Sequence, residues 1–339
     1  MIWIEWLQFL GCMVLIALSG SRLSRYGDML AEKSGLGRTW MGLAGLALVT
    51  SLPELVSSST AILWVKAPNL AVGTIMGAVT FILLILSLAD LSYTPRPIFT
   101  AAARGHVLAG AFVIVMLALA TMAIMAGTPI SVIKFGHIEA SSPILLLCYL
   151  MAMRATYRFQ KRERSHLGEE EKKELLYQDV PLNTALLKFG LYALIVILVS
   201  IWVSLVAEKL ARLMGWHLSV MGTFFLAAVT TAPELVVTLV ALRLGAVNLA
   251  VGNLLGSILV DVAVLGLLDF LYFPGPLLRA VSTGNASTGL VAILMMGVAL
   301  AELAYRPERK MLRYMSLGAF LLAFLYASSI FIQVMYHLH

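Results

Sequence analysis

Glu54 and Glu234 are the residues most suited to chemistry in this chain. Each lies in a long apolar stretch without other charges, and each follows a proline, Pro53 or Pro233. A carboxylate at mid-bilayer costs about 3 kcal/mol on insertion scales, so two in matching surroundings need a common reason. Proline lacks an N–H, and the carbonyls four residues back, on Val49 and Val229, lose their helical partner. Backbone freed at that depth is tolerated only where it lines a cavity or is otherwise satisfied. Thr50 and Ser51 precede the first proline, and Thr230 and Thr231 the second. Each site therefore offers carboxylate, hydroxyl and carbonyl oxygens within one helical turn. Such an all-oxygen set suits hard cations such as Ca2+ or Na+. It does not suit copper, and it suits zinc less, which prefers His or Cys.

The two sites belong to an internal repeat. Residues 42–65 read GLAGLALVTSLPELVSSSTAILWV, and 222–245 read GTFFLAAVTTAPELVVTLVALRLG. After a one-residue slip, NLAVGTIMGA (69–78) falls on NLAVGNLLGS (248–257). Asn253 and Ser257 share this second helix. Asp261 lies one turn beyond Ser257, so its carboxylate is expected to face the same site as Glu234. Gly73 and Gly77, like Gly252 and Gly256, are spaced to let helices approach closely. Asp90 and Asp269 also match, but near span ends, where solvation at the interface is expected. The same is expected of His106, His137 and His217.

The elements that carry these residues are membrane spans. The 339-residue chain is 60% hydrophobic and 12% charged, against about 25% charged in soluble domains. Ten apolar segments of near-spanning length occur, at roughly 3–19, 39–65, 69–91, 103–125, 138–157, 186–207, 220–244, 248–271, 288–305 and 312–335. The first has no basic residue ahead of it and is followed by Arg22 and Arg25, which favours an anchor over a cleaved leader. With the N-terminus outside, only Lys66, Lys134, Lys209, Arg212 and Arg279 of the 24 lysines and arginines fall on the outer side. The positive-inside rule thus selects N-out, C-out. The net charge of +6 is a topology signal and does not imply nucleic acid. Residues 1–157 would form a first five-helix repeat (motif 42–91) and 184–339 a second (motif 222–271). The polar stretch 158–183 would link them in the cytoplasm. An odd number of spans per half inserts the second upside down, the inverted arrangement of many secondary transporters. The fold class expected is an all-α membrane protein of ten transmembrane helices in two inverted five-helix repeats, in the cell (plasma or inner) membrane. Cys12 and Cys148 sit in apolar runs and suggest neither a disulfide framework nor a metal cluster.

On these residues the chain resembles the calcium/cation antiporter superfamily, in particular its sodium/calcium exchanger branch. That family has two repeats with a G-T-S-x-P-E-type motif and a following G-N-x-x-G-S-N-type motif. Here they stand as VTSLPEL with AVGTIMGA and VTTAPEL with AVGNLLGS. The resemblance covers both repeats and the ten-span layout and is weak in the linker. It implies Glu54 and Glu234 as central cation ligands, with Thr50, Ser51, Thr230 and Thr231 lining flanking sites and Ser257 and Asp261 completing the second half. It implies Na+ (or K+ or H+) moving against Ca2+, and a sliding pair formed by the first and sixth spans. The first repeat departs from the pattern. Ala78 and Ile82 stand where the second has Ser257 and Asp261, and Thr74 stands for Asn253. The asparagine after the serine is absent from both, replaced by Val79 and Ile258.

The leading expectation is Na+/Ca2+ exchange by alternating access. Alternatives are an H+- or K+-coupled antiporter with altered selectivity, in which Glu54 or Asp261 carries a proton, and a non-transporting degenerate homologue. No H-E-x-x-H, G-x-G-D or G-x-S-x-G arrangement marks the spans as an enzyme. No cofactor is expected beyond the transported Na+ and Ca2+. The partners expected are membrane lipid and those cations, with no protein partner evident.

Overall fold

The structure is a computed structural model, which describes residues 2–33, 45–93, 96–126, 134–135, 138–167, 180–311 and 314–338. The helices are α1 (Ile2–Lys33), α2 (Ala47–Thr50), α3 (Leu52–Leu63), α4 (Pro68–Ser92), α5 (Gly105–Met125), α6 (Ser141–Leu167), α7 (Leu182–Met214), α8 (Leu218–Thr230), α9 (Ala232–Arg243), α10 (Val247–Leu271), α11 (Gly284–Tyr305) and α12 (Leu317–Leu338). Among the described residues six helices are long and apolar enough to cross a membrane, and the bent pair α8 and α9 makes a seventh. The chain is an integral membrane protein.

Several boundaries differ from expectation: α1 runs on to Lys33 and α7 covers Leu182–Met214, both longer than the apolar segments that marked them. The segment at 138–157 starts as a strand, because Ile138–Glu139 pairs antiparallel with Lys134–Phe135. Its helix begins only at Ser141, with Pro143 in the first turn, where proline needs no N–H partner. That helix then runs to Leu167, taking in part of the expected linker. Of the expected linker 158–183, α7 takes the end from Leu182, and 168–179 lies outside the described residues, as does His137.

α4 and α10 form the centre. Both are apolar on all sides, the pattern of a helix enclosed by others. In their spanning windows 89% and 83% of residues are buried, against 28% for α1 and 33% for α7. The glycines of α4 explain its seating on α8. A Cβ at Gly77 would lie 2.1 Å from the Thr223 carbonyl oxygen, and one at Gly73 2.9 Å from that of Ser219. From the other side, a Cβ at Gly222 would meet the Leu70 carbonyl at 2.6 Å. No larger residue fits this backbone approach.

Asp90 and Asp269 are buried, which corrects the expectation of interfacial solvation. Asp90 accepts from the backbone N–H of Ile98 (2.8 Å) and Ser316 (2.7 Å). Asp269 accepts from the N–H of Leu277 (2.6 Å) and Glu139 (3.1 Å), and from the Ser142 hydroxyl (2.6 Å). Each aspartate thus satisfies loop donors that would otherwise be stranded in a dry place. A second matched pair works alike at the other helix ends. Asn69 Oδ1 accepts from Ser282 N–H (2.6 Å), and Asn248 Oδ1 from Ala103 N–H (2.7 Å).

α1 and α7 lie antiparallel along one another. Glu5 pairs with Lys209 at one end, and at the other Tyr26 stacks on Tyr192 at 5.7 Å with the Lys188 ammonium over its ring. α1 meets the core at Gly20, where a Cβ would lie 2.4 Å from Pro233 Cγ.

Gly77→Ala is expected to destabilise the purified protein by roughly 2 kcal/mol, the usual scale of overpacking. Gly11→Ala, with nothing within 4 Å of the added methyl, should leave the thermal midpoint unchanged or raise it slightly. Thermal unfolding in detergent, read by intrinsic fluorescence, compares the two.

Candidate cation site

The prolines break both helices. Ser51 (φ −78°, ψ 6°) separates α2 from α3, and Thr231 (φ −83°, ψ 6°) separates α8 from α9, bending the second pair by 41°. The last bonds before each step are Ser51 N–H to Ala47 carbonyl and Thr231 N–H to Ala227 carbonyl, both 3.0 Å. Pro53 and Pro233 then fall in the first turn of the next helix, where the missing N–H has no helical partner to lose. Glu54 and Glu234 follow in that same turn, at the positive end of a helix dipole. Local chain chemistry alone therefore sets a carboxylate at each break.

The two breaks meet across α10. Thr50 Oγ1 lies 3.1 Å from Ser257 Oγ and 3.4 Å from Asn253 Oδ1. The Ser257 hydroxyl in turn reaches Glu234 Oε1 at 3.4 Å. Thr230 faces Glu54, Ser51 faces Asp261, and the three carboxylates are electrostatic neighbours. Thr50, Ser51, Glu54, Thr230, Thr231, Glu234, Asn253, Ser257 and Asp261 are all buried. Thr231 is turned back on its own helix, donating to the Ala227 carbonyl at 2.8 Å. The structure thus gathers the expected residues other than the Thr231 hydroxyl around one locus.

The locus is rich in oxygens that nothing satisfies. Both Glu54 oxygens, both Asp261 oxygens, Glu234 Oε2 and Ser51 Oγ are buried without a hydrogen-bond partner. Among the described residues no lysine, arginine or histidine pairs with the three acids. Nor do any three acidic, histidine or cysteine side chains there close on a ready-made metal cluster. Hydroxyls lie against the acids instead, as Ser257 links Thr50 to Glu234. Buried carboxylates of this kind call for a cation or a proton.

The α4 side contributes less. Ala78 and Ile82 are fully buried, and the Thr74 hydroxyl is committed to the Leu70 carbonyl at 2.7 Å. Two further residues were not anticipated. Ser58 and Thr238 each sit four residues past a glutamate, and each hydroxyl is buried without a partner. The repeat itself carried the signal, since SSST (57–60) in one copy aligns with VTLV (237–240) in the other. Of the histidines expected to be solvated, His106 is buried beside Asn248, at the start of an apolar helix whose neighbours close over it. His217 caps α8 by accepting from Ser219 N–H (3.3 Å), and partial burial holds its pKa below the usual histidine range. Cys12 and Cys148 are free and buried.

A helical multi-span membrane transporter is the class that this fold and these enclosed oxygens define. The chain belongs to the sodium/calcium exchanger protein family, whose model matches residues 4–167 and 184–335. It is 29% identical over 268 residues to the inner membrane protein YrbG of Escherichia coli (strain K12), covering 78% of each chain. Its fold is similar to that of the sodium-calcium exchanger NCX_Mj (TM-score 0.62, 20% identity, 97% of this chain and 98% of that one). It is also similar to that of the H+/Ca2+ exchanger CAX (TM-score 0.71, 14% identity, 98% of this chain and 84% of that one).

A hard cation should stabilise this locus. Saturating Ca2+ or Na+ is expected to raise the thermal midpoint of the wild type, by about 2.7 kcal/mol of stability at a hundredfold excess over Kd. Glu54→Gln and Glu234→Gln should abolish the shift. A titration in which both variants respond as the wild type does would place the ion elsewhere.

Proposed function

We propose that the chain is a secondary active antiporter that exchanges Na+ for Ca2+ by alternating access. The observation that carries this reading is the set of three enclosed carboxylates, Glu54, Glu234 and Asp261, whose free oxygens face hydroxyls and no protein cation among the described residues. In this reading Glu54 and Glu234 are the central ligands. Thr50, Ser51, Thr230 and Thr231 line the flanking positions, and Asn253, Ser257 and Asp261 complete the second half. The acids bind one divalent ion or monovalent ions in its place, and carrying them alternately couples the two fluxes.

The same proposal includes ten spans, N-out and C-out, with repeats at 1–157 and 184–339 joined by a cytoplasmic linker at 158–183. The matched contacts support the repeat. Asp90 with Ile98 and Asp269 with Leu277 stand at one offset along the chain, as do Asn69 with Ser282 and Asn248 with Ala103.

A second reading, H+- or K+-coupling with altered selectivity, is favoured by one observation. α4 supplies Ala78 and Ile82 where α10 supplies Ser257 and Asp261, so half of the oxygen shell is apolar. Ca2+ prefers six to eight oxygens, and fewer ligands leave room for a proton to take the place of a coupling ion.

Proteoliposomes loaded with Na+ and diluted into Na+-free medium should take up radioactive Ca2+. Glu54→Gln and Glu234→Gln should fall to the level of protein-free vesicles. Full exchange in both variants would overturn the ligand assignment. Uptake driven by a pH gradient with no Na+ present would establish the proton-coupled reading instead.

A further inference from the structure

A groove of about 470 Å3 lies between α1 and α9, with none of the three acids in its lining. Ser21, Arg22 and Arg25 line it from α1, and Val237, Val240 and Leu244 from α9. That volume falls within the range of small-molecule sites, roughly 300–1,000 Å3. The two walls differ in kind. Arg22 and Arg25 are exposed and lie about one turn apart. At ~1.5 Å per residue they sit roughly 30 Å along α1 from its apolar start, one hydrocarbon thickness away. Beyond the Gly20–Pro233 contact, their long side chains can snorkel towards headgroup depth. Val237, Val240 and Leu244 form a continuous stripe on α9, with Val240 and Leu244 exposed, and α9 starts beside Glu234. The stripe thus leads from headgroup depth towards the membrane interior. Two guanidiniums at the mouth repel a cation and attract a phosphate, to which arginine binds through paired N–H donors.

We propose that this groove binds an anionic phospholipid, its phosphate on Arg22 and Arg25 and an acyl chain along Val237, Val240 and Leu244. The occupant touches both helices just beyond the Gly20–Pro233 contact, next to Glu234. Binding stands independently of the antiport reading. Its effect on transport rests on that reading.

The test is retention of phosphatidylglycerol over phosphatidylcholine by the purified protein from mixed micelles, read by native mass spectrometry. Each basic residue near an anionic surface contributes about 1 kcal/mol, or roughly fivefold. The double variant Arg22→Gln/Arg25→Gln is therefore expected to lose phosphatidylglycerol about 25-fold, while Arg309→Gln retains it. Val240→Trp keeps both arginines but fills the chain-binding wall, and it should also lose the lipid. Undiminished retention in the double variant overturns the site, and so does undiminished retention in Val240→Trp, which would leave only surface charge. In vesicles, phosphatidylglycerol should change the exchange rate of the wild type and not of the double variant. No exchange in vesicles of either composition, with lipid retention intact, would overturn the antiport reading and leave the lipid site standing.

Discussion

Glu54, Glu234 and Asp261 are held together in an apolar interior, and the rest of the molecule is arranged around that constraint. Two like charges 4 Å apart repel by about 4 kcal/mol at an effective dielectric of 20, and removal from water adds to that cost. The protein offsets part of it by geometry. Each glutamate stands in the first turn of a helix that begins inside the fold, at the positive end of its dipole. Hydroxyls of Thr50, Thr230, Ser51 and Ser257 cluster around the acids. The oxygens that remain unsatisfied are the ones the proposed cation site would use. An apolar substitute for the acids would make a more comfortable core and leave nothing to hold an ion.

The parts of this arrangement that follow from local rules were legible in the sequence. Proline next to glutamate in two uncharged stretches fixes a break and a carboxylate, and both breaks fall at the residue before the new helix starts, Ser51 and Thr231. The glycines of α4 were legible as points of close approach. Contacts across the fold were not legible. Asp90 and Asp269 read as span-end acids, because sequence places them near a boundary but not under loops whose N–H groups need acceptors. His106 failed in the same way, since burial at a helix start depends on what packs over it. Ser58 and Thr238 were hidden by their ordinariness: a hydroxyl in a helix usually bonds its own backbone, as Thr60 and Thr74 do.

The repeats have diverged unevenly. The aspartate and asparagine clasps are preserved in both copies with the same residue types. The ligand positions are not, since Ser257 and Asp261 face no polar equivalents in Ala78 and Ile82. The asparagine clasps join the two halves, since Asn69 holds Ser282 and Asn248 holds Ala103.

The pairing of α1 with α7 has a mechanical consequence. The two are stapled to one another at both ends, through Glu5 with Lys209 and through Tyr26 with Tyr192. Towards the remaining helices, the directional contacts among the described residues are few: Ser204 donates to the Ser57 carbonyl, and Trp6 meets Phe225 and Trp216 edge-on. Such a pair is stiff within itself and compliant in shear against its neighbours. A load along the membrane normal would displace α1 and α7 as one rod before it bent either. The flat Gly20–Pro233 contact would act as a bearing, because a glycine offers no side chain to catch on the ring.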